Sequence, residues 1–497
     1  MEDFQAHETH VSRLVFTPER VYKVKRPVRF GFLDFSTVEV RRRACHDEVE
    51  LNRRLAPDVY EGVGEFTDPD GRSEPVVVMR RLPDSRRLSV LVRRDHPALV
   101  SILTEVAATL AGFHRRAQRG ADIDRDCGSE AQSQLWMGNL DELRALGAGI
   151  VDIESVDTAW EAAAMYIAGR GLLFDERIAR GAAVDGHGDL MCDDTFALDD
   201  GPRLLDCLEF DPRLRHVDAL LDAASLAMDL EHLGRPDLAA TFLRSYRDIS
   251  ADRWPESLAH LYIAYRAAVR AKVAVILAGE GDRWNRAQVD KARSLLGQAV
   301  AHLKTGTVRL VLVGGLPGTG KTTLAHRLSM ATGWPVLSSD VVRKRLAGLD
   351  PEADASAAFG AGIYSDVMTA TVYEELLGEA EVNLTMGQSV IIDASWIRQC
   401  WRDAAREVAE RCLAEFLPIR CRVPGDVARA RISRRARAGA QPSDATPSIH
   451  DEMASALEPW IDAITVDTST GVEEPLQVAL EVIGAGPGLG LGLSSQA

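Results

Sequence analysis

The sequence predicts a multidomain protein: a mixed α+β first part, then an α/β domain built on a parallel sheet. Three observations carry this. The chain has 497 residues, too many for one hydrophobic core. Val308 to Val313 is an apolar, β-branched run that reads as a buried parallel strand, and a Gly-rich turn and helix-forming residues follow it. Upstream, residues 11–28 alternate as strands do, and the pattern from about Ser101 to Arg170 is mostly helical.

Composition narrows the function classes. Hydrophobic residues make up 46% and charged residues 27%, as in ordinary globular proteins. A net charge of −16 and a pI near 5.3 disfavour a general nucleic-acid or membrane-surface binder. The seven cysteines are scattered without a C-x-x-C pair, which argues against a disulfide framework and a zinc site. No signal peptide opens the chain, and its longest apolar candidate, 261–277, is interrupted by Arg266, Arg270 and Lys272. The expectation is a cytoplasmic protein without a membrane partner, its oligomeric state open. Lysine is scarce: Lys23, Lys25, Lys272, Lys291, Lys304, Lys321 and Lys344 are all there are. Those that remain draw attention.

In chain order, Leu14–Phe16 and Val21–Lys25 read as two strands joined by a turn at 17–20. Lys23 and Lys25 fall on one face, a solvated face in the plainest reading. A helix from Val38 to Leu55 carries Glu48, and Pro75–Met79 reads as another strand. Few residues precede Val11, leaving little room for an earlier strand, and no Gly-rich loop stands near the start. Then come His187-Gly188-Asp189-Leu190, with Asp193 and Asp194, and a strand that ends at Asp206. Asp189, Asp194 and Asp206, on a loop and an adjacent strand, would form an oxygen cage for Mg²⁺ beside a base. Plain acidic surface loops are the competing reading.

At these residues the chain resembles the aminoglycoside phosphotransferase-like branch of the protein-kinase-like fold. The resemblance implies a protein-kinase-like α+β domain over 1–285, with a reduced N-lobe. It casts Asp189 as acceptor of the hydroxyl proton. Asp194, where the family has Asn, and Asp206 would hold Mg²⁺. Lys25, or less readily Lys23, would contact the phosphates, with Glu48 as its helix partner, and Asp218 and Asp222 follow where such an Asp braces the loop.

Helical patterns over 246–280 and 282–303 lead to a linker at 286–306, then to a domain over 307–483. Gly315-Leu316-Pro317-Gly318-Thr319-Gly320-Lys321-Thr322, followed by Thr323, is the P-loop spacing G-x-x-x-x-G-K-[ST]. Its backbone N–H groups and the helix N-terminus make an anion hole. Lys321 would reach the β/γ-phosphates of ATP and Thr322 would hold Mg²⁺. Pro335–Asp340 reads as the next parallel strand, its Asp340 at the carboxyl edge where ligands sit. Asp340 and Arg343 give D-x-x-R, which resembles the polynucleotide-kinase-like, gluconate-kinase-like and zeta-toxin-like small P-loop kinases. The resemblance makes Asp340 the acceptor's base and Arg343 a contact to acceptor or phosphate; a helix N-cap is the alternative for Asp340. Ser389–Ala394 is a Walker-B-like strand whose Asp393 would serve Mg²⁺ or brace Thr322. Of Arg429, Arg431, Arg434, Arg435 and Arg437, the residues 431, 434 and 435 share a helix face. By the same resemblance this is a lid, with Arg431 and Arg435 toward the phosphates and a break at 439–443. A solvated helix is the alternative. The Gly-rich tail, 484–497, is expected to be disordered.

Both resemblances together match a bacterial fused protein, a phosphotransferase-like domain followed by a P-loop ATPase/kinase domain of the AAA kind. The expected function is ATP- and Mg²⁺-dependent phosphoryl transfer to a small hydroxyl compound, with nucleic acid disfavoured. Two alternatives stay open: a first domain that only senses ligand, and a P-loop domain that only hydrolyses ATP.

Overall fold

The computed structural model describes residues 5–8, 12–30, 33–67, 71, 73–279, 285–350, 362–438 and 446–484. The chain divides into two compact units. The first is Met1–Thr158, Phe174–Trp254 and Leu261–Ala301; the second is Ala159–Leu173, Pro255–His260 and His302–Ala497. The second unit thus draws in two segments from within the span 1–285. Among the described residues no helix is long and apolar enough to cross a membrane.

In the first unit, β1 (Gln5–Glu8), β2 (Ser12–Phe16) and β3 (Arg20–Lys25) form an antiparallel meander. The small hairpin of β4 (Arg29–Phe30) and β5 (Leu33–Asp34), helix α1 (Val38–Asn52) and strands β6 (Tyr60–Thr67) and β7 (Ser73–Arg80) follow. The sheet order is β1-β2-β3-β7-β6, antiparallel throughout. A strand before β2 therefore does form, in four residues. Thr37 caps α1 by accepting the Val40 N–H at 3.3 Å. The buried stripe of α1 at Arg41, Ala44, Cys45, Glu48, Val49 and Asn52 has helical spacing. Cys45 and Val49 pack on Val77 of β7, which carries Glu48 under β3.

Helices α2 (Leu88–Arg93), α3 (Leu99–Arg116), α4 (Ala121–Cys127), α5 (Ser129–Leu146), α6 (Ile153–Ala168) and α7 (Gly171–Ala179) come next. Short strands β8 (Ala183–Asp185), β9 (Thr195–Leu198), β10 (Gly201–Leu204) and β11 (His216–Asp218) pair as β9–β10 and β8–β11. Helices α8 (Ala219–His232), α9 (Pro236–Ser250), α10 (Glu256–Ala278) and α11 (Arg286–Thr305) follow. The single helix expected over 246–280 is two, because the α9 terminus turns at Ala251 with φ +56°.

The second unit holds β12 (Arg309–Gly314), α12 (Lys321–Thr332), β13 (Val336–Ser338), α13 (Ser339–Leu346), α14 (Asp366–Thr385), β14 (Val390–Asp393), α15 (Gln399–Arg411), β15 (Glu415–Arg422), α16 (Gly425–Ala438), α17 (Pro447–Ser455), β16 (Ile464–Asp467) and α18 (Glu473–Val482). Its five strands are all parallel in the order β13-β14-β12-β15-β16. Every β12 residue is buried, as a central parallel strand requires. Val311, Val313, Ile391, Ile419 and Val466 of the sheet meet Leu324 and Leu328 of α12 and Ala479 and Ile483 near the chain's last helix in one core. The register pairs Val313 with Asp393, and Asp393 with Ser338. The Gly-rich loop, Asp393 and the start of α13 therefore leave the sheet at one carboxyl edge, where strand order reverses.

Candidate active sites

The site of the second unit is built on that edge. Gly318 has φ +83° and Gly320 φ +87°, left-handed conformations that glycine adopts without steric cost. A Cβ at 318 would stand 2.5 Å from the Ala428 carbonyl oxygen, so the loop also passes too close to α16 for a side chain. Gly320 caps α12, whose first residues are Lys321 and Thr322, with Thr323 exposed beside them. The orphan N–H groups of that helix start point into the loop. Replacing Gly318 by Ala is expected to cost about 1–2 kcal/mol from backbone strain alone and to weaken nucleotide binding; chemical denaturation and nucleotide titration measure the two effects.

Three ties hold the loop's shape. The Thr319 hydroxyl donates to Leu316 O at 2.7 Å. His450 of α17 donates through Nδ1 to Pro317 O at 2.8 Å. Thr468, just after β16, donates to Thr319 O at 2.5 Å. Neither His450 nor Thr468 belongs to any local pattern that flags it. Gly315 is packed closely: a Cβ there would lie 2.8 Å from Cys421 O.

Asp393 is 3% exposed and lies beside Lys321 and the Thr322 hydroxyl; one of its carboxylate oxygens has no hydrogen-bond partner. Burial pushes this carboxyl up against the pull of Lys321. An orphaned, desolvated carboxylate oxygen next to a threonine hydroxyl suits a hydrated divalent cation. Asp340 is the second residue of α13, while Ser338 occupies the N-cap. The capping alternative for Asp340 is thereby removed. Asp340 is close enough to Asp393 and Arg343 for their charges to interact. Arg343 is 7% exposed and turned inward: Nη1 donates to Ile363 O at 2.8 Å and to Thr369 at 3.2 Å, and the guanidinium lies over the Tyr364 ring. It thus joins α13 to α14, and its Nε is buried without a partner.

Arg431 of α16 reaches the loop, with Nη1 3.7 Å from where a Gly320 Cβ would stand and Nη2 donating to Thr468 O at 2.8 Å. Arg435, one turn on, has a buried Nη2 without a partner. The expected break at 439–443 and the tail beyond Gly484 lie outside the described residues. Trp396, three residues past Asp393, has φ +54°, a strained value for an aromatic residue, and Tyr373 OH accepts its N–H at 3.2 Å.

The first unit gathers the other predicted residues. Glu48, wholly buried, takes one lysine on each oxygen: Lys23 Nζ at 2.8 Å from Oε1 and Lys25 Nζ at 2.7 Å from Oε2. Lys25 is 2% exposed and also bonded to Glu209. Lys23 instead reaches Asp206 Oδ1 at 2.5 Å. Of the two candidate lysines, Lys23 thus faces the half-exposed Asp206 carboxylate, and Lys25 is buried between Glu48 and Glu209. Strand alternation could not rank the two, since both share a face. Asp206 has φ +66°, with its N–H on Tyr60 OH at 3.2 Å. Burial would raise its carboxyl, but Lys23 holds it below the usual range.

Asp222 braces the loop: Oδ2 accepts from His187 N at 2.5 Å and Oδ1 from Gly188 N at 2.9 Å. His114 Nε2 adds a contact at 3.2 Å. Asp218 does something else, pairing with Arg177. Asp189 Oδ2 faces Arg270 Nη1 at 3.2 Å. Among the described residues no three such side chains stand close enough to form a metal cluster by themselves. The three-carboxylate cage expected from Asp189, Asp194 and Asp206 is therefore not assembled, and a cation here would need oxygens from a bound phosphate.

Asp194 still fits a cation. Burial, then Asp206 and Asp189, push its carboxyl well above the usual range. Its folded pKa exceeds the unfolded value, so its contribution to stability is lost as pH rises through the raised value. A divalent cation should restore it. We expect the stabilisation by Mg²⁺ to grow as pH rises through that range and to flatten in Asp194→Asn, read as melting temperature against pH.

Residues 310–460 match the model of an AAA domain. Over 463 residues the chain is 42% identical to Uncharacterized protein Rv2004c of Mycobacterium tuberculosis and to Uncharacterized protein Mb2027c of Mycobacterium bovis, covering 93% of this chain and 92% of each relative. It belongs to their family. Two solved structures each align with part of the chain. A sugar kinase from Janibacter sp. is 21% identical, covering 36% of this chain and 96% of its own, with a TM-score of 0.29. Wild-type aminoglycoside 2'-phosphotransferase-IIIa is 13% identical, covering 61% and 93%, with a TM-score of 0.37. In this chain the matched AAA domain is the part that carries the P-loop and the five-stranded parallel sheet.

Proposed function

We propose that this protein is an ATP-dependent phosphotransferase that moves the γ-phosphate of ATP to a hydroxyl of a small molecule. The observation that carries it is the shared carboxyl edge of the second unit: the strapped P-loop, Asp393 with an orphaned oxygen, and Asp340 one strand over. The P-loop amides and Lys321 would hold the β- and γ-phosphates; Thr322 and Asp393 would hold Mg²⁺, whose chemistry is to neutralise phosphate charge. Asp340 would take the acceptor's proton, and Arg431 or Arg435 would cover the transferred group. Arg343 would act through position, keeping Asp340 and α13 in register.

A second reading applies to the first unit. Lys23 already pairs with Asp206, and Arg270 with Asp189, so the proposed metal carboxylate and the proposed base both carry cation partners. That pairing suits a unit that senses ligand and regulates the other, as well as one that opens on binding ATP. The full chain, incubated with γ-labelled ATP, Mg²⁺ and a fractionated pool of hydroxyl metabolites, tests the main reading. Label in a new organic phosphate is the expected result. Label only in free phosphate would make the protein an ATPase.

A further inference from the structure

The residues that leave the sheet after β14 are held more firmly than a connecting turn requires. Ala394 N–H donates to Val313 O at 3.3 Å. Ser395 O accepts the N–H of Gly315, the first residue of the P-loop, at 3.3 Å. Trp396 N–H goes to Tyr373 OH at 3.2 Å, and Trp396 O accepts from Arg402 Nη1 at 3.3 Å. Tyr373 comes from the middle of α14 and Arg402 from the first turn of α15. Asp393, with its unpartnered carboxylate oxygen, stands at the head of this turn.

Packing alone does not account for the arrangement. Trp396 is 0% exposed and Tyr373 3%, and their rings meet edge to face at 5.1 Å. A packed interior asks only for the rings. The Trp396 backbone, however, has φ +54°, a left-handed conformation that costs an aromatic residue energy and persists only where its neighbours hold it. The Tyr373 hydroxyl is such a neighbour, because without it the Trp396 N–H would be buried unbonded. The Tyr373 ring is fixed in turn by a parallel stack on Trp401 of α15, 5.0 Å away at 4°. One turn earlier on α14, Thr369 meets Arg343 Nη1 at 3.2 Å. A single helix thus holds both the turn that follows Asp393 and the helix that carries Asp340.

We propose that Tyr373 is a positioning residue: its hydroxyl fixes the Trp396 turn, and through that turn it aims the Asp393 carboxylate at the Mg²⁺ of a bound nucleotide. This rests on the reading of Asp393 as a metal carboxylate and adds a residue to it. The P-loop does not depend on the same contact, because Thr319, His450 and Thr468 shape it through separate hydrogen bonds. Loss of the Tyr373 hydroxyl therefore weakens the metal-bound nucleotide and spares the metal-free one.

Tyr373→Phe keeps the ring, its stack and its edge contact, and removes only the acceptor of the Trp396 N–H. Binding of fluorescent N-methylanthraniloyl-ADP to the full chain is titrated in Mg²⁺ and again in excess EDTA. The wild-type chain should bind more tightly in Mg²⁺. Tyr373→Phe should lose about tenfold in affinity in Mg²⁺, the worth of one hydrogen bond to a buried donor, and nothing in EDTA. Thr468→Val, which loosens the P-loop itself, should weaken binding alike in both. Arg402→Lys, on the carbonyl side of Trp396, should repeat the metal-selective loss, and it decides the matter if Tyr373→Phe does not fold. Equal losses in the two buffers, or no loss in either, would overturn the proposal and leave the phosphotransferase reading intact. A wild-type chain that binds equally with and without Mg²⁺ would refute Asp393 as a metal carboxylate, and the proposal with it.

Discussion

Lys321→Ala is expected to lower ATP turnover by about 10²–10³-fold, the usual loss when one preorganised charge stabiliser is removed. The chain should stay folded. Lys321 opens α12 and lies outside the core formed by Val311, Val313, Leu324 and Leu328, so its loss should change stability by no more than about 0.5 kcal/mol. One internal consequence is predictable. Lys321 pulls the buried Asp393 carboxyl downward, so its removal leaves only the weaker pull of Thr322 and His326 against burial and raises that group further. Lys321→Arg restores the charge but not the compact ammonium, and recovery should be partial. Steady-state turnover at matched Mg²⁺, beside thermal melting, checks both points. Unchanged turnover in Lys321→Ala would move the activity to the first unit.

The second large effect separates the two proposed bases. Asp340→Asn should cut phosphoryl transfer by the second unit about 10²–10⁴-fold while nucleotide affinity stays near normal. The structure sharpens the experiment. Ser338, not Asp340, occupies the N-cap position of α13, so the substitution keeps the cap residue and removes only the charge of the first turn. Nucleotide affinity should hold because the loop is shaped by Thr319, His450 and Thr468, none of which involves Asp340. Asp189→Asn should leave that same reaction almost unchanged. Product formation by each variant, with binding measured directly, decides the matter. Full activity in Asp340→Asn together with loss in Asp189→Asn would make the first unit the catalyst.

Much of the second unit was legible from residues alone. Its strand, loop and helix are contiguous, and each announces itself locally: β-branched apolar residues, glycines at left-handed positions, then helix formers. The carboxylates Asp340 and Asp393 were found because parallel strands end at one edge, which the βαβ pattern implies before any register is known. The first unit was less legible. Its H-G-D stretch stood out, but the partner of Asp189 is Arg270, 81 residues away, and the partner of Asp206 is Lys23, 183 residues away. No pattern of spacing ranks such partners.

By itself, the sequence determined the elements that carry the candidate groups: a P-loop with its lysine and threonine, two edge carboxylates, and an acidic loop preceded by two strand lysines and a helix glutamate. These follow from backbone conformation and side-chain period, which act over a few residues. Only the tertiary structure decided which lysine faces the open carboxylate and that Arg343 is turned inward to Ile363 and Thr369. It also decided that Asp194 lies close enough to Asp206 and Asp189 for their charges to raise its carboxyl, and that His450 and Thr468 strap the P-loop. Those outcomes depend on burial and on charges brought together through space, and neither quantity exists along the chain until the sheet and helices have closed around it.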